Sequence, residues 1–382
     1  MGPLSGIKVI EMAGIGPGPM AAMMLSDMGA TVLRIERQTE SSLGIKRPLK
    51  YDLLLRGRKS IALDLKNSAT IEVVLNLIAK ADGLIEGFRP GVMERLGLGP
   101  DVCLKRNPKL VFGRMTGWGQ DGPLAQAAGH DLNYIALTGA LNAFGRKGQM
   151  PVPPLNLLGD FAGGAAYLAL GMVCAFLETQ RSGKGQIVDA AIVDGTAHLM
   201  TSIYGTYKAA MMVLDRGENI LDTGAFFYET YTCSDGKLIS IAPIEAKFYD
   251  ELLMRLGINA DALPAPSDKT LWDQGKASLT KIFATKTRDE WCTILEGTDA
   301  CFAPVLDMDE APKHPHINAR GTFIDIDGIV QPAPAPRFSR TVPQTPSPPR
   351  KAADIPLHEA LDGWMDPNEI ESLRAAGLTI QP

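Results

Sequence analysis

Short apolar runs alternate with helically spaced apolar patterns in the first third of the chain, and this alternation restricts the fold more than any other feature. Residues 7–12 and 31–35 read as strands, with 19–28 helical between them. Residues 70–80 are helical, 83–86 a short strand and 110–115 a further strand. Strand, helix and strand in succession make a βαβ unit, and repeated units give a mostly parallel sheet. The crossovers of such a sheet are right-handed.

The character changes after Lys184. Residues 185–200, and the stretch on to 214, read as helical and Met-rich. Residues 229–233 and 237–241 are β-like around Ser234-Asp235-Gly236, a hairpin turn signal. Helical patterns follow at 248–256, 279–284 and 287–295, so 225–325 reads as a smaller α+β unit. Residues 331–356 hold eight prolines and read as an extended linker. Asp366-Pro367-Asn368-Glu369 is a capping box with proline at the first helical position, and Gly377 is its expected stop.

A chain of 382 residues suits two compact units rather than one core. Its formal charge of −5 argues against a nucleic-acid partner. Five cysteines without a CxxC pair suggest neither a disulfide framework nor a metal site, and point to reduced thiols in the cytoplasm. The N-terminus does not read as a secretory signal. Residues 161–177 carry no charge, but they are rich in Gly and Ala and follow Asp160, so they read as a buried helix rather than a membrane span.

Two local features bear on ligands. The first strand runs into Ala13-Gly14-Ile15-Gly16-Pro17-Gly18-Pro19, and a second strand ends at Glu36, 22 residues after Gly14. This imitates a dinucleotide fingerprint, but proline stands where the third glycine belongs. The segment from Arg34 to Lys66 carries nine basic residues against four acids, Glu36, Glu40, Asp52 and Asp64. Such an island is either a solvated face or a site for a phosphate-rich ligand. Gly87-Phe88-Arg89-Pro90-Gly91 adds an arginine in a tight loop after a strand.

Seven segments together resemble the family III CoA-transferase superfamily and, within it, the α-methylacyl-CoA racemases. They are Glu11-Met-Ala-Gly-Ile-Gly-Pro-Gly-Pro19, Ile85-Glu-Gly-Phe-Arg-Pro-Gly91, Gly113-Arg-Met-Thr-Gly-Trp-Gly-Gln120, Gly129-His-Asp-Leu-Asn-Tyr134, Pro154-Leu-Asn-Leu-Leu-Gly-Asp-Phe-Ala-Gly-Gly164, Gly183-Lys-Gly-Gln186 and Asp299-Ala-Cys-Phe-Ala-Pro-Val305. The resemblance implies an α/β fold: a large domain with a mostly parallel Rossmann-like sheet, plus a smaller α+β domain, in an interlocked homodimer. Residues 1–200 would begin the large domain, 201–224 form a linker helix, 225–325 the small domain, and 326–382 a linker and return. The active site would lie between one chain's large domain and the other's small domain.

The implied reaction inverts the carbon beside an acyl-CoA thioester. That C–H bond is weakly acidic, so one group must take its proton from one face and another must return a proton to the opposite face. The residues matching the family's motifs are His130 and Asp160. Histidine serves as acid or base near neutrality, and Asp160 would need burial to hold a proton there. Alone, the two residues read as a structural histidine and a helix cap, and the resemblance reverses that reading. Glu245, in Ile241-Ala-Pro-Ile-Glu-Ala-Lys-Phe-Tyr249, is implied as a supporting acid, although Pro243 departs from the usual pattern. Arg37, Arg56, Arg89 and Arg95 correspond to CoA-contacting arginines, with Lys66 and Tyr134 as further contacts. The Asp131 backbone N–H would hold the enolate oxygen. His198, His314, His316 and His358 match no such motif and read as structural. No metal is implied, and no cofactor apart from the CoA carried by the substrate. The 16 methionines suit either an adaptable acyl pocket or ordinary core filling.

Two other functions fit the same resemblance. A CoA transferase would use Asp160 as nucleophile. However, His130 is typical of the racemase branch, and residues 241–249 lack the glycine-rich loop of many transferases. A non-catalytic acyl-CoA binding protein would need the arginines but neither His130 nor Asp160.

Overall fold

Val9 and Ile10 are neighbours, both fully buried, and they enter different hydrophobic clusters. Successive strand residues point to opposite faces, so this strand is covered on both sides. In this computed structural model, which describes residues 1–39 and 44–375, six strands form one sheet. They are β1 (Lys8–Met12), β2 (Thr31–Glu36), β3 (Lys59–Ala62), β4 (Gly83–Glu86), β5 (Val111–Thr116) and β6 (Gln186–Ala191). Their order is β3-β2-β1-β4-β5-β6, and every adjacent pair is parallel. Ile10, Leu33, Ile61, Leu84 and Phe112 meet the helix Ser68–Ile78 and the C-terminal residues Ile355, Leu361 and Trp364. Val9, Val32, Ile85 and Val111 meet the helices Pro17–Asp27 and Tyr167–Ser182 on the other face.

This order carries one functional consequence. From β1 the chain winds outward to β2 and β3, then returns to place β4 on the opposite side of β1. Loops leaving β1 and β4 therefore diverge, and a crevice opens at the carboxyl ends of these two strands.

Residues 185–200, expected to be helical, divide into the edge strand β6 and the helix Ile192–Leu199. The strand pairs with β5 in the register Phe112↔Ile187, and Ile187 is 45% exposed. A half-exposed edge strand lacks the apolar run of a central one, and no turn separates it from the helix that follows. β3 also escaped the sequence reading, because its four residues sit inside the basic island. Residues 161–177 lie within one helical segment, Leu157–Ser182, that is long and apolar enough to cross a membrane by length and composition. Leu168, Met172 and Phe176 pack under the sheet, while Leu170, Val173 and Leu177 are exposed.

The chain divides into two units. The first comprises residues 1–138, 155–199 and 321–382, and the second comprises 139–154 and 200–320. The second unit thus takes in segments on the N-terminal side of residue 225. It holds an antiparallel sheet of β7 (Glu229–Thr232), β8 (Leu238–Ile241) and β9 (Phe302–Pro304), in that order. Phe226, Tyr231, Trp272, Phe283 and Trp291 fill its core. In the first unit, β10 (Phe323–Ile326) and β11 (Ile329–Pro332) form a hairpin just before irregular chain. The terminal capping box forms around the helix Pro367–Ala375: Asp366 Oδ1 accepts from the Glu369 N–H at 2.9 Å, and Glu369 Oε2 accepts from the Asp366 N–H at 2.8 Å. Gly377 and Glu40 lie outside the described residues.

Candidate active site

The loop after β1 ends at Gly16, whose φ of +65° belongs to the left-handed region. A methyl group added there would stand 3.2 Å from Asp160 Oδ2. Glycine therefore lets the mouth of the β1 loop close onto the carboxyl group. Asp160 lies in the first turn of a π-helix, Leu157–Ala166, whose wide winding is commonest at functional positions. Asn156, just before this helix, donates its side-chain N–H to Asp160 Oδ2 at 3.2 Å. The Asp160 backbone N–H donates to Asp131 Oδ1 at 2.7 Å.

Asp131 opens the helix Asp131–Leu137, and His130 stands immediately before it. The His130 N–H donates to Asn133 Oδ1 at 3.1 Å, which fixes the entry of the chain into the helix. His130 is exposed, whereas Asp160 is half-buried. Burial pushes the Asp160 carboxyl above its ordinary value. Asn156 and His130 oppose the rise, and the Asp131 charge adds to it. A carboxyl group raised in this way can hold and release a proton closer to neutrality.

Tyr134 lies one turn along the same helix, edge-on to Trp118 with ring centroids 4.7 Å apart. Its hydroxyl donates to the Gly129 carbonyl, which pins the loop ahead of His130. Burial and the Asp160 charge push the phenol up, so it remains a donor. Arg89 acts on Tyr134 from the loop after β4. That loop is braced from below: Glu86 accepts the Phe88 N–H at 2.7 Å and Arg114 Nε at 2.8 Å, and Arg114 also holds Glu94 at 2.8 Å. His130, Asp131, Tyr134, Asp160 and Arg89 thus gather where the strand order reverses.

The remaining expected contacts disperse. Arg37 and Lys66 are exposed just beyond β2 and β3, and Arg95 is exposed at the end of the short helix Val92–Arg95. Glu245 is exposed at the head of the helix Ala246–Leu256, in the second unit.

Arg56 is displaced from its expected role. It is 3% exposed, paired with Asp27 at 2.5 Å, and donates to Gln331 Oε1 at 3.0 Å and to the Pro332 carbonyl at 2.6 Å. It ties the helix Pro17–Asp27 to β11 rather than facing a phosphate. Arg34 and Arg58 are likewise buried, both paired with Glu11, so part of the basic island is internal scaffolding. Charge counted along a sequence does not reveal burial. Arg56→Ala should lower stability by about 3–5 kcal/mol, because it strands the Asp27 carboxylate, while a folded fraction keeps its KM. Thermal unfolding alongside steady-state kinetics checks both halves.

Asn156 and the Asp131 side chain were not singled out in the sequence. The first gave a faint signal, four residues before Asp160 and therefore about one turn away. Among the described residues, no group of three His, Cys, Asp or Glu side chains is placed to hold a metal ion.

Comparison with known proteins identifies relatives of the whole chain. The chain is 45% identical over 345 residues to the alpha-methylacyl-CoA racemase of Mus musculus, covering 90% of this chain and 88% of that protein. It is 43% identical over 347 residues to the alpha-methylacyl-CoA racemase of Homo sapiens, with the same coverage of 90% and 88%. A crystal structure of a CAIB/BAIF family protein from Brucella suis superposes with a TM-score of 0.80 at 25% identity, covering 99% of this chain and 100% of that one. The family model described as CoA-transferase family III matches residues 4–360. The chain belongs to CoA-transferase family III.

Proposed function

We propose that this protein is a racemase that inverts the α-carbon of 2-methyl-branched acyl-CoA thioesters by 1,1-proton transfer through an enolate. His130 and Asp160 are the two acid/base groups, one for each face of the carbon. The observation that carries this reading is the half-buried Asp160 carboxyl, pushed up by its surroundings beside the helix that His130 heads. One group of each pair takes the α-proton while the other returns one, so the products are the inverted epimer and an enzyme with its proton moved across. The Asp131 backbone N–H faces the developing enolate oxygen.

Arg37, Lys66 and Arg89 follow β2, β3 and β4, and so stand along the carboxyl edge of the sheet. They take the phosphates of CoA, Arg as a paired donor and Lys as a point charge. Arg95 and Tyr134 complete the binding side, and no separate cofactor takes part. The protein acts as a homodimer in the cytoplasm, with Glu245 as a supporting acid. A CoA transferase using Asp160 as nucleophile would have no use for a second acid/base group at position 130.

The test is incubation with a single epimer of a 2-methylacyl-CoA in D₂O, followed by proton NMR. We expect loss of the α-proton signal together with growth of the opposite epimer. A folded, CoA-binding protein that exchanges no α-proton would overturn the reading, and transfer of CoA to an added carboxylic acid would replace it.

A further inference from the structure

We infer that the Asp131 side chain is a positioning residue for Asp160: its carboxylate holds the Asp160 turn, and its charge keeps Asp160 able to both give and take the substrate proton. This rests on the racemase reading above.

Asp131 is 7% exposed. Its Oδ1 accepts the Asp160 N–H at 2.7 Å, and the Gly159 N–H also bonds to this carboxyl. A side chain 29 residues away thus caps the first turn of the Asp160 helix. A methyl group added at Gly159 would stand only 2.3 Å from Asp131 Oδ1, so the carboxyl lies as close to this backbone as glycine permits.

The other oxygen is more telling. Asp131 Oδ2 is buried and, among the described residues, makes no hydrogen bond. An asparagine in the same pose would accept both N–H groups through its own oxygen. A carboxylate therefore carries an added desolvation cost and returns no further bond. What it supplies beyond an amide is negative charge, placed against Asp160. That charge acts in the same direction as burial on Asp160, while His130 and Asn156 act against it.

Other charges around this turn are occupied elsewhere. On the helix Ile192–Leu199, His198 is bonded to the Tyr167 hydroxyl, and Asp194 acts on Asp189. On β5, Arg114 is held by Glu86 and Glu94, and Asp189 on β6 accepts the Gln120 N–H. On the helix Pro17–Asp27, Asp27 is paired with Arg56. Tyr134 feels the Asp160 charge, and Arg89 acts on Tyr134. Among the described residues, Asp131 is the acid whose charge acts on Asp160.

The experiment is Asp131→Asn in the full chain, with Asp160 followed by carboxyl ¹³C NMR and the reaction by α-proton exchange across pH. Removing the charge lets Asp160 ionise more readily, so its titration and the acid limb of kcat/KM should both move to lower pH. At neutral pH kcat should fall roughly tenfold, part of the usual acid–base contribution, with KM unchanged. A variant with wild-type titration and wild-type profile would overturn the proposal, because only the hydrogen bonds would then matter. If the variant does not fold, the wild type still decides: the Asp160 resonance should titrate in two steps as Asp131 ionises beside it, and a single step would count against coupling. A wild type that shows no exchange defeats the racemase reading alone, since the carboxyl titration needs no substrate.

Discussion

His130→Ala and Asp160→Ala should each slow epimerisation by orders of magnitude while leaving α-proton exchange with one epimer only, and the two variants should spare opposite epimers. Inversion needs both faces of the carbon to be served. Exchange needs only one, because a single base can remove a proton, trade it with solvent and return it to the same face. Loss of one positioned acid/base group should slow epimerisation by about 10²–10⁴-fold. KM should change little, because neither side chain belongs to the CoA-binding edge. Following each pure epimer in D₂O by NMR separates exchange from inversion in one experiment. If both variants lost exchange with both epimers, neither residue would act as an independent base for one face and the two-face mechanism would fail. A surviving rate in Asp160→Ala on both epimers would leave that residue structural.

The second large effect concerns stability. Glu11 on β1 is fully buried, and its two oxygens are divided between Arg34 on β2 and Arg58 just before β3. Arg58 also donates to the Pro19 carbonyl at 3.0 Å, while its Nε and Nη2 are buried and, among the described residues, without hydrogen bonds. Glu11→Gln keeps the shape but leaves two buried guanidinium charges with half the balancing charge they had, Glu36 still holding Arg34. Breaking a buried ion pair by removing one partner costs about 3–5 kcal/mol. Urea unfolding should show that loss as a lowered midpoint with an unchanged slope. Adding Arg58→Met to Glu11→Gln should recover part of it, because an apolar side chain of similar length removes the stranded charge. If Glu11→Gln unfolded at the wild-type midpoint, the cluster would be neutral to stability. Glu11 lies five residues before Gly16, so the variant should also loosen the loop that closes on Asp160.

How much of this was legible in the sequence follows from where each residue is buried. β1, β2, β4 and β5 are central strands packed on both sides, and such strands write themselves as short β-branched and aliphatic runs. β6 has one open edge and β3 is four residues long, so neither carries that signature. The hairpin of β10 and β11 was hidden by its proline-rich neighbourhood, although Pro332 sits at a strand end, where a missing N–H costs least. His130 and Asp160 were readable only through their flanking motifs; as isolated residues each looked structural. Arg56 misled because its charge is visible in a sequence and its partner Asp27 is not. The Asp131 carboxylate was invisible for the same reason: its partner is the backbone of a helix 29 residues further on, and only folding brings the two together.

The path of the chain between its two units also dictates an order of assembly. The chain leaves the first unit after Thr138, returns at Leu155, leaves again after Leu199 and comes back at Gly321. Ile355, Leu361 and the fully buried Trp364 then complete the same apolar layer as Ile10, Leu33 and Phe112. During synthesis the parallel strands emerge early, and the helix Ser68–Ile78 with them, yet that side of the sheet stays incompletely covered until residues 355–364 have been made. The second unit, whose segments are complete by Arg320, can close first, so a nascent chain would be held open longest on the side that Trp364 finally seals.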